Sequence, residues 1–256
     1  MVGRRRFLKI VLGLGASGLG LDRLLRAQVA GPVTLGQASF EVAAPGSPTS
    51  TNPVLLPDPV TPVQVTVIPK VAWGAAPVAD TFVEHQITRI TLHHSGSLLQ
   101  DNQKAPQRLR DHQAYHQADQ GWPDLAYHYV VDRNGHVYEG RPVWAVGDTN
   151  TDYDPTGHFL ICCEGEFNHQ TPTPDQLEAA AGLAAWASAR YDVSLDAVSG
   201  HRDMASTSCP GDMLYSELNQ VVARAHRLYD GPGVDLLLLD DQSALGLVAD
   251  IESGRV

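Results

Sequence analysis

The 256-residue sequence is poor in cysteine and in basic side chains. Of its three cysteines, Cys162 and Cys163 are adjacent, so a disulfide between them would be strained and the odd count leaves Cys209 unpaired. Lysine and arginine number 18 against 29 acidic residues, which gives a net charge of −11. Because nucleic-acid binding requires a basic surface, nucleic acid is excluded as a partner, and an anionic ligand would need local contacts.

The few basic residues are concentrated at the start of the chain, where six of the 18 lie in the first 26 positions. They precede a run rich in Gly and Leu at positions 10–21, which is too short to cross a bilayer, so no integral membrane span is expected. The order Arg-Arg-x-Phe-Leu-Lys at positions 4–9 resembles a twin-arginine export signal, an address that is read by a receptor. The alternative is a basic tail before a small buried helix.

A proline-rich stretch separates this segment from the rest of the chain. Residues 43–62 contain six of the 17 prolines, which favours an extended, semi-rigid linker. We therefore divide the chain into an export segment (1–30), a linker (31–64), a folded domain (65–230) and a C-terminal tail (231–256). The tail either packs on the domain or hangs free.

Strand-like and helix-like patterns alternate within the predicted domain. Strands are predicted over 86–94 and 157–167, and a hairpin over 125–141 around an Asn-Gly turn. Helices are predicted over 105–120, from a capping box at Thr173 to about Tyr191, and in a last helix capped by Asp212. This mixture predicts an α/β fold with a mixed central β-sheet flanked by helices.

The clearest chemical signal comes from two histidines at a strand end and two side chains on a distant loop. His93 and His94 end the strand over 86–94 and precede a Ser-Gly turn, so a side chain there is rigidly aimed. His201 and Cys209 lie in GHRDMASTSCPGD (200–212), a polar loop without regular periodicity. Two imidazoles and one thiolate, with a fourth position open, meet the requirements of a catalytic zinc ion.

A second histidine pair, His112 and His116, lies four residues apart on the predicted helix over 105–120. This spacing suits a metal pair, but Gln113 stands where the metalloprotease helix pattern needs a glutamate. We therefore expect both histidines to be structural.

Four segments together resemble a known family. IPKVAWGAAP (68–77), TLHHS (91–95), GWPDLAYHYVVDRNGHVYEGR (121–141) and SGHRDMASTSCPGD (199–212) resemble, in this order, the peptidoglycan recognition proteins and their relatives, the type 2 N-acetylmuramoyl-L-alanine amidases. The resemblance covers about residues 65–230 and implies a mixed sheet flanked by helices, with a zinc cleft on one side. It implies that His93, His201 and Cys209 bind Zn²⁺, whereas His94 faces the opposite way and packs.

The resemblance also implies a reaction. A zinc amidase of this kind hydrolyses the amide between the lactyl group of N-acetylmuramic acid and L-alanine in peptidoglycan. Tyr127 matches the catalytic tyrosine of the family, and Thr207 matches a position that donates a hydrogen bond in related enzymes. The alternatives are a plain core tyrosine and a loop threonine. Glu164 lies near a carboxylate that some related amidases use in catalysis, and is otherwise a sheet-edge residue.

A third set of residues implies a preference among peptidoglycans. In the recognition family, a Gly-Trp pair and an Arg nineteen residues later mark preference for meso-diaminopimelate over lysine in the stem peptide. Gly121, Trp122 and Arg141 have this spacing, and the guanidinium would pair with the additional carboxylate. The alternative is that Trp122 anchors the core and Arg141 is a surface turn residue. Gly147-Asp148 replaces the usual Gly-Ala-His, so one wall of the cleft is expected to differ.

Two other functions compete with the exported zinc amidase. A recognition module would bind the same polymer without cleaving it, but non-catalytic relatives lack the cysteine ligand that Cys209 supplies here. A phage-type lysin or a cytosolic recycling amidase would need neither the signal-like N-terminus nor the proline-rich linker. The expected location is therefore beyond the cytoplasmic membrane, in the periplasm, the cell wall or the extracellular space.

We expect the twin-arginine-like segment to direct export. Changing both of its first arginines, Arg4→Lys and Arg5→Lys, keeps the charge but removes the guanidinium pair, so the protein should stay in the cytoplasm. Cell fractionation and immunoblotting measure this outcome, with Arg23→Lys and Arg26→Lys as the matched control. A double mutant that still reaches the cell envelope contradicts the signal.

Overall fold

The computed structural model of the protein describes residues 61–256. It contains seven strands and five α-helices within this range. The strands are β1 (Val63–Ile68), β2 (Arg89–His94), β3 (Tyr129–Val131), β4 (Val137–Glu139), β5 (His158–Cys163), β6 (Val198–Gly200) and β7 (Val234–Leu238). The helices are α1 (Ala105–Ala118), α2 (Pro174–Tyr191), α3 (Asp212–Ser216), α4 (Leu218–Tyr229) and α5 (Asp241–Ser253).

The seven strands form one mixed sheet in the order β6-β2-β5-β3-β4-β1-β7. Only β3 and β4 pair in an antiparallel manner, through the predicted hairpin, and all other neighbours are parallel. All six residues of the central strand β5 are buried, because helices cover both faces of the sheet there. The predicted fold class, a mixed central sheet flanked by helices, is confirmed.

Two hydrophobic clusters fill the space between the sheet and the helices. One contains Phe159 and Ile161 of β5 together with the alanine-rich face of α2 and part of α4. The other contains Trp73 and Leu109, with residues of α5, on the opposite side. No helix within residues 61–256 combines the length and apolar character needed to cross a membrane.

The helix starts agree only partly with the prediction. The capping box at Thr173 is present, since its hydroxyl accepts from the Gln176 amide at 3.1 Å and the Gln176 side chain accepts from the Thr173 amide at 3.2 Å. The helix predicted from Asp212 is instead divided into α3 and α4, and Gly211 occupies the cap position of α3. The Asp212 carboxylate pairs with Arg202 at 2.7 Å, so it is not available to cap a helix.

The C-terminal tail packs on the domain and does not hang free. Strand β7 pairs with β1 in parallel, from Val63 opposite Val234 to Val67 opposite Leu238. Helix α5 then packs against α1, where Arg110 and Glu252 form an ion pair at 2.7 Å. The predicted export segment (1–30) and most of the predicted linker (31–64) lie outside the described residues.

We predict that α5 contributes to the stability of the whole domain. Ile251 is fully buried in the second cluster, so Ile251→Ala should lower the free energy of unfolding by about 3 kcal/mol through lost burial and a residual cavity. Leu245 on the same helix is 52% exposed, and Leu245→Ala should change the unfolding free energy by less than about 0.5 kcal/mol. Urea unfolding measures both variants, and equal effects would show that α5 does not share the core.

Candidate metal centre

Two histidines meet because β2 and β6 are parallel neighbours. Leu92 of β2 lies opposite Gly200 of β6, so the next residues along the two strands are His93 and His201. The carboxyl ends of parallel strands lie at the same edge of a sheet. Both imidazoles are buried there, with ring centroids 4.6 Å apart.

The loop after β6 returns to place Cys209 beside this pair. The Arg202 amide donates to the Cys209 carbonyl at 2.9 Å, which closes the loop on itself. The Cys209 sulfur lies 3.6 Å from Nδ1 of His93 and accepts from the backbone amide of His94 at 3.4 Å. One ligand atom from each of His93, His201 and Cys209 lies within 4.8 Å of the others, and no other such metal-ligating group occurs in residues 61–256.

The geometry of these three residues fits a zinc ion. With Zn–S near 2.3 Å and Zn–N near 2.1 Å, a tetrahedral ion holds sulfur and nitrogen about 3.6 Å apart, which is the separation between Cys209 and His93. The other nitrogen of His93, Nε2, is buried and has no hydrogen-bond partner among the described residues. The Thr151 hydroxyl lies 2.7 Å from Nε2 of His201 and can fix the tautomer of that ring, as outer partners of metal-bound histidines do.

Burial also sets the protonation of the candidate ligands. It lowers the pKa of His93 well below its usual range and that of His201 to about 4, so both imidazoles are neutral at pH 7. A neutral imidazole is the form that binds a metal. Burial raises the pKa of the Cys209 thiol to about 12, and a coordinating cation deprotonates such a thiol.

His201 and Cys209, the two neighbours of His93, line a cleft of about 260 Å³ that also contains Tyr127, Thr207 and Trp122. The half-buried Tyr127 ring lies 5.3 Å from the His93 ring, and burial raises the pKa of its hydroxyl above the usual range. The Thr207 hydroxyl accepts from the Cys209 amide at 3.2 Å, so it holds the cysteine in place and keeps its own hydrogen free to donate. The structure therefore brings both predicted catalytic side chains to the candidate metal centre.

The predicted substrate-binding residues differ in their access to the cleft. Trp122 lines the cleft, with its ring 4.8 Å from that of His116, and Gly121 before it has a φ of +70° that favours glycine. Arg141 is only 2% exposed, so it is not a surface turn residue. Its guanidinium donates to the carbonyls of residues 124, 125 and 146 and pairs with Asp148 at 2.5 Å. The pairing of Arg141 with a substrate carboxylate remains a prediction, and such a carboxylate would have to displace Asp148.

Glu164 lies neither at the metal centre nor at a sheet edge. It follows the central strand β5 and is fully buried, because α1 covers it. Its carboxyl group lies 3.5 Å from Nδ1 of His112 and 3.9 Å from Nε of Arg108. The His94 ring stacks on Phe167 and its Nδ1 accepts from the Phe167 amide at 3.3 Å, while His94 also borders the cleft.

Sequence reasoning did not identify the loop that closes the cleft beside His201. Thr151 bonds the His201 imidazole, and the Tyr153 ring packs edge-on against it at a centroid distance of 4.9 Å. The only sequence signal was the departure at Gly147-Asp148, just before this loop. A difference from the family motif indicates that this wall of the cleft differs, but it does not identify the side chains that form the wall.

Comparison with known proteins places this cleft in a family. The family model described as N-acetylmuramoyl-L-alanine amidase matches residues 83–212, which is half of the chain and contains all three candidate ligands. The chain belongs to this amidase family. Peptidoglycan-recognition protein SC2 of Drosophila melanogaster is 32% identical over 157 residues, which cover 60% of this chain and 85% of that protein.

A human amidase and a solved recognition-protein structure are also similar to this chain. N-acetylmuramoyl-L-alanine amidase of Homo sapiens is 30% identical over 157 residues, which cover 59% of this chain and 27% of the human protein. The crystal structure of peptidoglycan recognition protein-LE, in complex with the diaminopimelic acid-type fragment tracheal cytotoxin, has a TM-score of 0.54 and 28% identity. The structural alignment covers 60% of this chain and 92% of the chain in that structure. The family thus includes both proteins named as recognition proteins and proteins named as amidases.

Proposed function

We propose that the protein is a zinc-dependent N-acetylmuramoyl-L-alanine amidase that hydrolyses the bond between the lactyl group of N-acetylmuramic acid and L-alanine in peptidoglycan. The observation that carries this proposal is the convergence of His93, His201 and Cys209, the last two of which line a cleft together with Tyr127. The twin-arginine-like order at positions 4–9 supports action beyond the cytoplasmic membrane.

The residues of the cleft support amide hydrolysis. A zinc ion held by the three ligands would polarise the amide carbonyl and activate a water molecule at neutral pH. The Tyr127 hydroxyl, which lines the cleft, would hydrogen-bond the carbonyl oxygen as negative charge develops on it. Thr207 adds a second hydroxyl on the loop that carries Cys209, a donor without charge.

A recognition module that binds without cleaving is the competing function, because relatives are named as recognition proteins. Binding alone needs neither a thiolate nor a neutral imidazole pair. The backbone amide of His94 donates to the Cys209 sulfur at 3.4 Å, a contact that stabilises the thiolate form in which cysteine binds a metal. This arrangement favours the enzyme.

We predict that the native chain binds one zinc ion and that Cys209→Ser abolishes both zinc retention and hydrolysis. Serine keeps the size but not the soft thiolate, so zinc content should fall at least about tenfold. Elemental analysis and release of stem peptide from purified peptidoglycan, with and without chelator, measure the two effects.

Cys163→Ala is the matched control for this substitution. Cys163 is a fully buried free thiol outside the ligand group, so its loss should leave zinc content unchanged. Full zinc and activity in Cys209→Ser would contradict the ligand assignment. Zinc binding without hydrolysis by the native chain would favour the recognition module.

We propose in addition that the enzyme prefers stem peptides with meso-diaminopimelate at the third position. A structural relative binds such a fragment, and Arg141 has the spacing that the family uses for this preference. The guanidinium is already paired with Asp148, an acidic residue on the cleft wall. A diaminopimelate carboxylate would replace the Asp148 carboxylate as the partner of the Arg141 guanidinium.

Asp148→Asn should therefore increase the preference for diaminopimelate over lysine substrates, since the competing charge is removed. Arg141→Gln should remove the preference, which an interaction of about 1.5–3 kcal/mol would set at roughly ten- to a hundredfold. The ratio of cleavage rates on matched muropeptides measures both effects. Equal rates for the native enzyme, or a ratio unchanged in both variants, would refute the role of Arg141.

A further inference from the structure

A second groove continues from the cleft along helix α1. It has a volume of about 320 Å³ and shares Ser95, Tyr115, His116 and Tyr127 with the cleft. Its remaining wall consists of polar side chains, among them Arg108 and His112 of α1. Nothing in the candidate metal centre requires this groove or its charged lining.

A buried carboxyl group lies beneath this wall. Both oxygens of Glu164 are inaccessible to solvent and make no hydrogen bond of good geometry among the described residues, and the Ser95 hydroxyl lies beside the carboxyl group. The nearest ionisable groups are Nδ1 of His112 at 3.5 Å and Nε of Arg108 at 3.9 Å, and both belong to residues that line the groove. Burying an ionisable group without good partners costs free energy. A carboxyl group in this position therefore indicates a functional role that offsets the cost.

The contact between Glu164 and Nδ1 of His112 determines what the imidazole presents to the groove. With the carboxyl proton directed at Nδ1, the opposite nitrogen, Nε2, carries the imidazole hydrogen and donates. No side chain or carbonyl within residues 61–256 accepts from Nε2 of His112. The ring is therefore a fixed donor beside the cation of Arg108, whose Nη2 is held by the Leu98 carbonyl at 3.0 Å.

We propose that His112 is a substrate contact that donates through Nε2, together with Arg108, to a carboxylate of the stem peptide, and that Glu164 is the residue that positions it. This rests on the proposed function in taking peptidoglycan as the ligand. The groove begins at Tyr127, next to the metal ligands, so the carboxylate that reaches it is the first along the stem. That carboxylate belongs to the D-glutamate after L-alanine.

The protonation of the pair agrees with this role at neutral pH. Burial raises the pKa of Glu164 to about 8 and lowers that of His112 to about 4, so between these limits the carboxyl group is protonated and the imidazole is neutral. Above about pH 8 the proton is lost, Nε2 becomes an acceptor, and carboxylate binding weakens. The other ionisable groups around the pair are Arg108, Asp111 and His116 of α1, Tyr127, Asp132 after β3, Tyr138 of β4, and Cys162 and Cys163 of β5.

The test measures binding without hydrolysis, in a Cys209→Ser background. The probes are N-acetylmuramyl-L-alanyl-D-glutamate and its isoglutamine analogue, which lacks only the α-carboxylate, and calorimetry gives the Kd. His112→Asn should weaken binding of the acid about tenfold, as expected for loss of a hydrogen bond to a charged group, and leave the amide nearly unchanged. Glu164→Gln should keep acid binding at pH 6.5 and remove its weakening at pH 9.5, because the amide cannot lose a proton.

His136→Asn is the matched control, since His136 also pairs with a buried carboxylate, Asp132 at 2.9 Å, but lies on the hairpin outside this groove. It should leave the Kd of both probes unchanged. If His112→Asn binds the acid with the same Kd as its parent, or loses affinity equally for the acid and the amide, the proposed contact between His112 and the carboxylate is wrong. A pH dependence in Glu164→Gln like that of the parent overturns the role of Glu164. Because binding is measured without zinc, failure of the native chain to cleave peptidoglycan would refute the proposed function and leave this result standing.

Discussion

The parallel pairing of β2 with β6 is the constraint on which the site depends. It joins His93 to His201, which are more than a hundred positions apart, and a slip of one residue would turn one imidazole to the other face of the sheet. Register of this kind is held by the core, where Leu92 is fully buried. Cys209 then needs only a loop closed by the bond between the Arg202 amide and its own carbonyl.

The acidic chain meets its proposed acidic substrate through two cations, Arg141 and Arg108. Arg141 pairs with Asp148, and Arg108 lies near Glu164. The pairing of Arg141 with Asp148 keeps the free protein from burying an uncompensated charge, which would be costly. It also means that a substrate carboxylate must replace or complement an internal one, so these contacts contribute more to selectivity than to affinity.

Local signals in the sequence predicted local structure well. The capping box at Thr173 and the Asn134-Gly135 hairpin were correct, because each depends on residues within a few positions. The family motifs predicted that His93, His201 and Cys209 would meet, which spacing alone could not. The burial of Arg141 and the bond from Thr151 to His201 were not predictable, since both arise from packing between segments far apart in sequence. The division of the last predicted helix at Glu217 was also missed.

The functional unit is larger than the segment that carries the motifs. The family match ends at residue 212, yet β1, β7 and α5 lie outside it and share a core with α1 through Trp73 and Ile251. Without them β4 would become an exposed edge strand, and α1 would lose the helix that packs behind it. Because α1 carries His112 and Arg108, the shape of the groove beside the metal centre depends on the C-terminal strand and helix. The tail therefore contributes to the site although it supplies none of its side chains.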